Sequence, residues 1–211
     1  MAFCNFNHIE QWTGIFRFIL MLMNTISRNI FLFLLAGIVL CSSCRQDQTA
    51  KPLFELEQHT GINFENNVVD GRLENSFLFR NFYNGGGVAI GDINNDGLPD
   101  IFFTSNMGDN QLYLNKGKFK FQDITPGSGI VQDSMWSTGV VFVDINNDGW
   151  LDIYVCNSGH MSSGHRKNKL YINNHNRSFT ESSAQYGLDI SAYITQVSFF
   201  DYDNDGDLDC F

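Results

Sequence analysis

Basic side chains are scarce in this chain, which carries 13 lysines and arginines against 23 aspartates and glutamates, for a formal net charge of −10. Nucleic-acid binding requires a basic face, so this balance argues against a nucleic-acid partner. Cysteine is also sparse, with five in 211 residues. The apolar run at Ile30–Leu40 has 11 residues, which is too few for a membrane-spanning helix of about 20.

Aspartate, in contrast, recurs in a fixed pattern, D-x-[DN]-x-D-G-x-x-D. The three copies are Asp92–Asp100, Asp144–Asp152 and Asp201–Asp209. Oxygen ligands at alternate positions of a tight loop suit Ca²⁺, which takes six to eight oxygens. A solvated acidic turn is the alternative for any single copy, but three copies in phase favour a metal site.

The predicted ligands are the side chains at loop positions 1, 3, 5 and 9 and the backbone carbonyl at position 7. Glycine at position 6 allows a sharp turn where a Cβ would be costly. We expect about one Ca²⁺ per loop, and the third loop, with its five aspartates, should bind it most tightly if its blade is complete. The fifteen residues are Asp92, Asn94, Asp96, Leu98, Asp100, Asp144, Asn146, Asp148, Trp150, Asp152, Asp201, Asp203, Asp205, Asp207 and Asp209.

Strands, not helices, are predicted on both sides of these loops. An EF-hand loop closes with a glutamate at position 12, but Phe103 and Val155 stand there in the first two copies. Short β-branched and aromatic runs around a glycine-containing turn indicate a β-hairpin. The runs are Gly87–Ile90, Ile101–Thr104, Gly139–Val143, Ile153–Val155, Val197–Phe200 and Cys210–Phe211.

The repeating unit is longer than its acidic loop. The loops begin 52 and 57 residues apart, a period typical of propellers and other repeat folds. A second hairpin is predicted around Tyr113 and Tyr171, each followed eight residues later by a phenylalanine. Each unit then ends in Gly-Ile or Gly-Leu, as at Gly129 and Gly187. Two hairpins per unit make a four-stranded antiparallel sheet, so we predict an all-β fold of propeller blades.

The second unit carries extra residues between Asn157 and Asn168, with His160, His165, Arg166 and Lys167 among them. Insertions in repeat proteins extend loops on one face, so this connection is a candidate for a specialised surface. The two histidines could form a metal site, but solvated side chains are the simpler interpretation of a Ser/Gly-rich loop.

The stretches Phe82–Asp100, Asp144–Asp152 and Phe199–Asp209 resemble the FG-GAP/VCBS-repeat proteins, whose repeats are integrin-α-like propeller blades with calcium loops. More narrowly, they are similar to bacterial members related to cartilage acidic protein, which often end in an ASPIC/UnbV segment. The resemblance covers about Leu53 to Phe211. It implies a fold and a metal, and it contributes no catalytic motif.

The N-terminal part is predicted to direct export. Ile30–Leu40 suits the apolar region of a secretory signal, and Ser42-Ser43 before Cys44 resembles a bacterial lipoprotein cleavage site. We therefore assign 1–22 to a misassigned upstream extension, 23–44 to a lipoprotein signal peptide, 45–52 to a tether and 53–211 to propeller blades. Lipidation at Cys44 would place the protein in the bacterial outer membrane or at the cell surface.

Two cysteines remain in the predicted folded part, Cys156 and Cys210. A disulfide between blades is conceivable in an oxidising compartment, but two buried thiols are the preferred interpretation. Because Phe211 follows the last loop ligand by two residues, we expect the third blade to be truncated and the chain to be an N-terminal fragment.

Three classes of function follow from these patterns. The first is a calcium-stabilised, lipid-anchored surface scaffold that binds glycan or protein without catalysis. The second is a propeller-based polysaccharide-degrading enzyme with its catalytic residues further along, since no nucleophile or HExxH motif is present here. The third is a structural envelope assembly factor. We favour the first.

The anchor assignment predicts that Cys44 is acylated in a Gram-negative host and that the protein partitions into detergent. Cys44→Ala removes the thiol that would carry the lipid, so it should release the protein or stall its processing. Detergent partitioning of the two forms measures this. Unchanged partitioning of the alanine variant would show that the apolar run is an ordinary signal or an uncleaved one.

Overall fold

The computed structural model describes residues 17, 21, 30, 52–131, 135–159 and 166–211. Cys44, most of the tether and all of the predicted signal region except residue 30 lie outside the described residues. Leu56–Phe211 forms one compact unit. Across the described positions, no helix has both the length and the apolar character needed to cross a membrane.

The described residues of this unit form ten strands. Strands β1 to β4 form the first four-stranded sheet, strands β5 to β8 form the second, and β9 and β10 form a two-stranded hairpin. All pairings are antiparallel between strands that are consecutive in the chain. Their bounds are β1 Val88–Gly91, β2 Asp100–Phe103, β3 Gln111–Asn115, β4 Phe121–Asp123, β5 Ser137–Val143, β6 Asp152–Asn157, β7 Lys169–Asn173, β8 Phe179–Glu181, β9 Phe199–Phe200 and β10 Asp209–Cys210.

The predicted all-β architecture of four-stranded blades is confirmed. Ile101 pairs with Tyr113 in the first sheet, and Ile153 pairs with Tyr171 in the second, so the two Leu-Tyr strands occupy equivalent positions. We refer to β1–β4, β5–β8 and β9–β10 as blades 1, 2 and 3. The strand predicted at Val197–Phe200 is shorter than expected, with regular pairing only at Phe199–Phe200. Ser198 and Phe211 nevertheless exchange two backbone hydrogen bonds of 2.9 Å that extend this hairpin.

The core lies between successive sheets. One buried cluster joins blades 1 and 2, and a second joins blade 2 to Val197 of blade 3. Along β6, Ile153 and Val155 belong to the first cluster and Tyr154 and Cys156 to the second, because successive residues point to opposite faces of the sheet. The first cluster comprises Ala89, Ile93, Phe102, Leu112, Ile130, Val140, Ile153, Val155, Tyr171 and Phe179, and the second comprises Tyr154, Cys156, Leu170 and Val197.

The same interface position recurs in each blade. Val88, Val140 and Val197 each lie four residues before the first aspartate of their loop. Val140 and Val197 are 4% and 5% exposed, because each packs against the preceding blade, whereas Val88 is 52% exposed. The exposed face of blade 1 around Val88 therefore corresponds to the face that blade 2 packs against blade 1 and that blade 3 packs against blade 2.

Both cysteines of the folded part are free thiols. Cys156 is buried in β6, and burial raises the pKa of its thiol to about 12, with a smaller contribution from Cys210. Cys210 is exposed, so the expectation of two buried thiols was wrong for this residue. Its strand, β10, pairs only with β9 among the described residues, which leaves one edge uncovered.

The Gly-Ile signature at the end of each unit has a steric cause. Ser128 accepts a 2.6 Å hydrogen bond from the Phe179 amide, and a Cβ added to Gly129 would collide with the Phe179 carbonyl oxygen. Thr60 accepts the equivalent bond from Phe121, where Gly61 has the same close approach. These glycines therefore allow one unit to lie against the outermost strand of the next.

Two neighbouring glycines separate this steric effect from backbone strain. Gly127 and Gly129 have φ of 84° and 83°, but a Cβ at Gly127 meets no atom within 4 Å. Gly127→Ala should cost about 1–2 kcal/mol, from left-handed strain alone. Gly129→Ala should cost about 1–3 kcal/mol more, from overpacking. Urea unfolding measures both, and equal losses would contradict the close approach.

Candidate metal centre

Each acidic loop connects two paired strands. Residues 92–99 join β1 to β2, residues 144–151 join β5 to β6, and residues 201–208 join β9 to β10. The expected hairpin setting is thus found for all three loops. The side chains predicted as ligands come from the turn itself and from the first residue of the following strand, so strand pairing fixes both ends of each site.

The first aspartate of each loop organises the turn. Asp92 accepts hydrogen bonds from the backbone N–H groups of Asp96 at 3.1 Å and Gly97 at 2.7 Å. Asp144 repeats the pattern at 3.0 and 2.8 Å, and Asp201 repeats it at 3.1 and 3.1 Å. Since the same two bonds form in all three copies, the loops share one backbone conformation.

That conformation needs two left-handed residues. Gly97 at position 6 has φ of 83°, as its predicted role requires. Asn95 at position 4 has φ of 57°, and Asn147 and Asn204 have φ of 57° and 62°. Asparagine tolerates this region better than most residues. Asparagine recurs at position 4 in all three copies, so the sequence already indicated a left-handed residue there, although position 4 is not among the predicted ligand positions.

The ninth residue is the most deeply placed ligand candidate. Asp100 and Asp152 begin β2 and β6 and are fully buried. Asp100 accepts backbone N–H groups of Ile93 at 3.1 Å and Asn115 at 2.7 Å. Asp152 accepts the equivalent groups of Ile145 and Asn173 at 3.1 and 2.8 Å. Burial raises the pKa of both carboxyls, and these backbone donors oppose the rise.

The third loop brings its carboxylates together. One oxygen from each of Asp201, Asp203 and Asp209 lies within 4.8 Å of the others. Ligands on opposite sides of a Ca²⁺ are about 4.6–5.2 Å apart, twice the usual calcium–oxygen distance. The three side chains therefore fit a common cation. Asp205 and Asp207 turn towards each other instead, and the Asp205 side chain raises the pKa of Asp207.

In the first two loops, positions 3 and 5 are hydrogen-bonded to each other. The Asn94 amide nitrogen donates to Asp96 at 3.0 Å, and Asn146 donates to Asp148 at 2.8 Å. The amide oxygens of Asn94 and Asn146 in turn accept the backbone N–H groups of Asp96 and Asp148, both at 3.2 Å. The backbone N–H groups of the position 7 residues Leu98, Trp150 and Asp207 donate to the position 5 carboxylates at 2.9, 2.9 and 3.1 Å.

The second loop has an additional neighbour that the sequence did not reveal. His175 lies in the turn between β7 and β8 and places Nε2 3.0 Å from the Asp148 carboxylate. Its ring stacks on Trp150, with centroids 4.8 Å apart and planes 20° from parallel. The hydrogen bond from His175 is the main cause of the lowered pKa of Asp148. Gly117 occupies the corresponding turn position in blade 1.

The first two loops lie side by side, as expected for equivalent ends of adjacent blades. The Asn95 amide donates to the Gly149 carbonyl at 3.1 Å. A second link runs through Asn173, whose side-chain amide donates to the Ile93 carbonyl at 2.8 Å and the Leu151 carbonyl at 3.0 Å. Since Ile93 and Asn173 also donate their backbone N–H groups to Asp100 and Asp152, hydrogen bonds connect the two buried carboxylates.

A profile of the FG-GAP-like repeat matches residues 92–155 and 159–211. The chain belongs to the FG-GAP-like repeat family. The first matched segment contains the first two acidic loops, and the second matched segment contains the third. Family membership agrees with the observed four-stranded antiparallel sheets.

Curated relatives include the proteins named cartilage acidic protein 1. The Xenopus tropicalis protein is 31% identical over 160 residues, which are 75% of this chain and 24% of the relative. The human protein is 30% identical over 130 residues, 61% of this chain and 19% of the relative. The mouse protein is 29% identical over 127 residues, 60% of this chain and 19% of the relative. The chain thus spans about a fifth to a quarter of the length of these relatives.

The insertion in blade 2 is only partly described. His160 and His165 lie outside the described residues. Arg166 lies over the ring of Tyr193, with its guanidinium carbon 4.4 Å from the centroid, and Lys167 forms a 2.7 Å ion pair with Asp189. These two basic side chains therefore join the insertion to the connection that leads into blade 3.

Asn115 and Asn173 test the link between the loops as a matched pair. Both amides bond a carbonyl of their own loop, but only Asn173 also bonds the neighbouring blade. Asn173→Ala removes the hydrogen bonds to the buried Ile93 carbonyl and the half-buried Leu151 carbonyl and should cost about 2–4 kcal/mol. Asn115→Ala should cost about 0.5–1.5 kcal/mol. Chemical denaturation measures the difference, and equal losses would argue against the inter-blade bond.

Proposed function

We propose that the protein is a calcium-stabilised, lipid-anchored binding or adhesion scaffold at the bacterial surface, with glycan or protein as its ligand. The FG-GAP repeats support the coarser part of this statement, a propeller-type binding scaffold. Calcium, the anchor and the ligand are the further parts. The observation that carries the proposal is the threefold repetition of one loop geometry, with carboxylates held at the same positions of successive blades.

The charge distribution supports calcium. From residue 45 onward the sequence has 22 acidic and 11 basic residues, and eleven of the acidic residues lie in the three loops. Outside the loops, the charges therefore balance. Within them, like charges converge and two carboxylates are fully buried, an arrangement that a divalent cation would compensate. Asp92, Asn94, Asp96 and Asp100 would hold the ion in the first loop, and the corresponding residues would do so in the others.

We propose binding rather than catalysis because the converging carboxylates already stabilise the turns through hydrogen bonds. Asp92, Asp144 and Asp201, together with Asp100 and Asp152, each accept at least two backbone N–H groups, and this fixes the turns. An aspartate that also holds a cation is a poor general base. The anchor would be supplied by Cys44, whose lipidation depends on the sequence context described above.

Calcium should raise thermal stability. Extracellular calcium modules have dissociation constants of about 10⁻⁴–10⁻³ M, so millimolar Ca²⁺ should contribute about 0.4–1.4 kcal/mol per site by mass action. Chelation should lower the melting temperature. Added Ca²⁺ should restore it better than Mg²⁺, which demands a smaller octahedral site.

Substitutions can assign that response to a loop. Asp96→Asn keeps the size and hydrogen-bonding ability of the side chain but removes a charged ligand, so it should reduce the calcium-dependent shift by about one site's share. Asp109→Asn removes the same charge outside the loops and should leave the shift intact. A melting temperature that does not depend on calcium, together with no bound metal by elemental analysis, would overturn the calcium assignment.

A further inference from the structure

One apolar face of blade 1 is exposed. Val88 and Ile90 point to the same side of β1, and they are 52% and 66% exposed. The equivalent residues of blades 2 and 3 pack against the sheet that precedes their own blade, and these are Val140, Phe142, Val197 and Phe199. The face around Val88 and Ile90 is therefore the place where a sheet preceding blade 1 would pack.

The segment that enters blade 1 has the features of the end of a repeat unit. Thr60 accepts a 2.7 Å hydrogen bond from the Phe121 amide of β4, as Ser128 accepts one of 2.6 Å from the Phe179 amide of β8. Gly61 comes close to the Phe121 carbonyl in the manner described above. Because Ser128 lies at the end of the unit that forms blade 1, Thr60 and Gly61 lie where a preceding unit would end.

The stretch from phenylalanine to Gly-Ile or Gly-Leu recurs at residues 54–62, 121–130 and 179–188, and we call it the closing element. In blades 1 and 2 its phenylalanine begins the outermost strand, β4 or β8. The first closing element begins with Phe54, seven residues before its glycine instead of eight.

This first closing element has no sheet of its own. Phe54 is 86% exposed, whereas the equivalent Phe179 is 4% exposed. Residues 54–56 pair with no strand among the described residues. They have the sequence of a fourth strand, but the three strands that it should join are missing.

The described sheets cannot supply these three strands. Blades 1 and 2 already have fourth strands, β4 and β8, which pair with β3 and β7. Blade 3 consists of β9 and β10 in the described part of the chain, so it lacks the third strand with which a fourth would pair. A second copy of these residues would bring the same sheets. The partner must therefore be another repeat unit, one whose third strand has a free edge.

We propose that a further FG-GAP unit of the same polypeptide, beyond Phe211, packs on Val88 and Ile90 and takes residues 54–56 as its fourth strand. That unit would contribute an acidic-loop hairpin and a Leu-Tyr strand. This chain matches 24% of the length of the Xenopus tropicalis relative, so a protein of this family has room for further units. The inference goes beyond the proposed function, because it does not depend on calcium, the anchor or a ligand.

A partner within the same polypeptide is favoured by its effective concentration. Segments joined by a short flexible connection meet at effective concentrations of about millimolar, without a diffusional encounter. Strand addition at residues 54–56 would form main-chain hydrogen bonds, and burial of Phe54, Val88 and Ile90 would remove apolar area from water. One contact would thus cover both the exposed face of blade 1 and the free edge of its partner.

The complete gene product tests the proposal. The FG-GAP unit that packs on blade 1 should be the last in the sequence, and it should lack a closing element of its own because residues 54–62 provide it. In the monomer, hydrogen exchange of the backbone N–H groups of residues 54–56 should be slowed at least about tenfold relative to an unpaired segment.

Substitutions in the complete gene product test the packing itself. Ile90→Asp and Phe54→Ser should each lower the melting temperature by about 5 °C or more, because each would disrupt a buried apolar contact. Phe119→Asp is the matched control, since Phe119 is 65% exposed but lies in the turn between β3 and β4. Its φ of 54° suits aspartate, so the melting temperature should change by less than about 2 °C.

Several results would overturn the inference. One is a gene product with no FG-GAP unit beyond Phe211, or one in which every later unit has its own closing element. Others are fast exchange at residues 54–56 and equal effects of Ile90→Asp and Phe119→Asp. Protection that disappears on dilution, as the molecular mass falls, would assign the contact to a second copy instead. If a variant fails to fold, exchange in the unsubstituted protein decides the question.

Discussion

The buried carboxylates at the ninth loop position set the main constraint on this fold. A carboxylate removed from water must be compensated by hydrogen bonds, a counter-charge or protonation. Asp100 and Asp152 each receive backbone donors from two directions, one from the start of the loop and one from the end of the third strand. The acidic hairpin and the Leu-Tyr hairpin are therefore joined at one charged group.

The stacking of the blades depends on apolar contacts, which are separate from these buried carboxylates. Each sheet presents one apolar face to the next sheet, and Gly61 and Gly129 let the chain approach the outer strand of the following blade closely. Polar links across the same boundary are few but specific, such as the Asn95–Gly149 and Asn173–Ile93 bonds. Burial of apolar area stabilises the interface, and these amide hydrogen bonds align the acidic loops of neighbouring blades.

Features that depend on local sequence could be predicted, and features that depend on contacts between distant segments could not. The spacing of the acidic loops and of Tyr113 and Tyr171 was enough to predict four-stranded sheets with the correct pairing of hairpins. The stacking of His175 on Trp150 joins residues from different turns, and no periodic pattern encodes it. The contact between Asn66 and Asn106 likewise depends on hydrogen bonds across 40 residues of chain.

The hydrogen-bonded path from Asp100 through Ile93 and Asn173 to Asp152 also has a thermodynamic consequence. Its donors and acceptors include main-chain groups, so a change in the position of one carboxylate is transmitted to the backbone that supports the other. Linkage is reciprocal for equilibrium binding. If both loops hold a cation as proposed, any coupling free energy carried from the first loop to the second must act equally from the second to the first, in addition to the core that the two blades share.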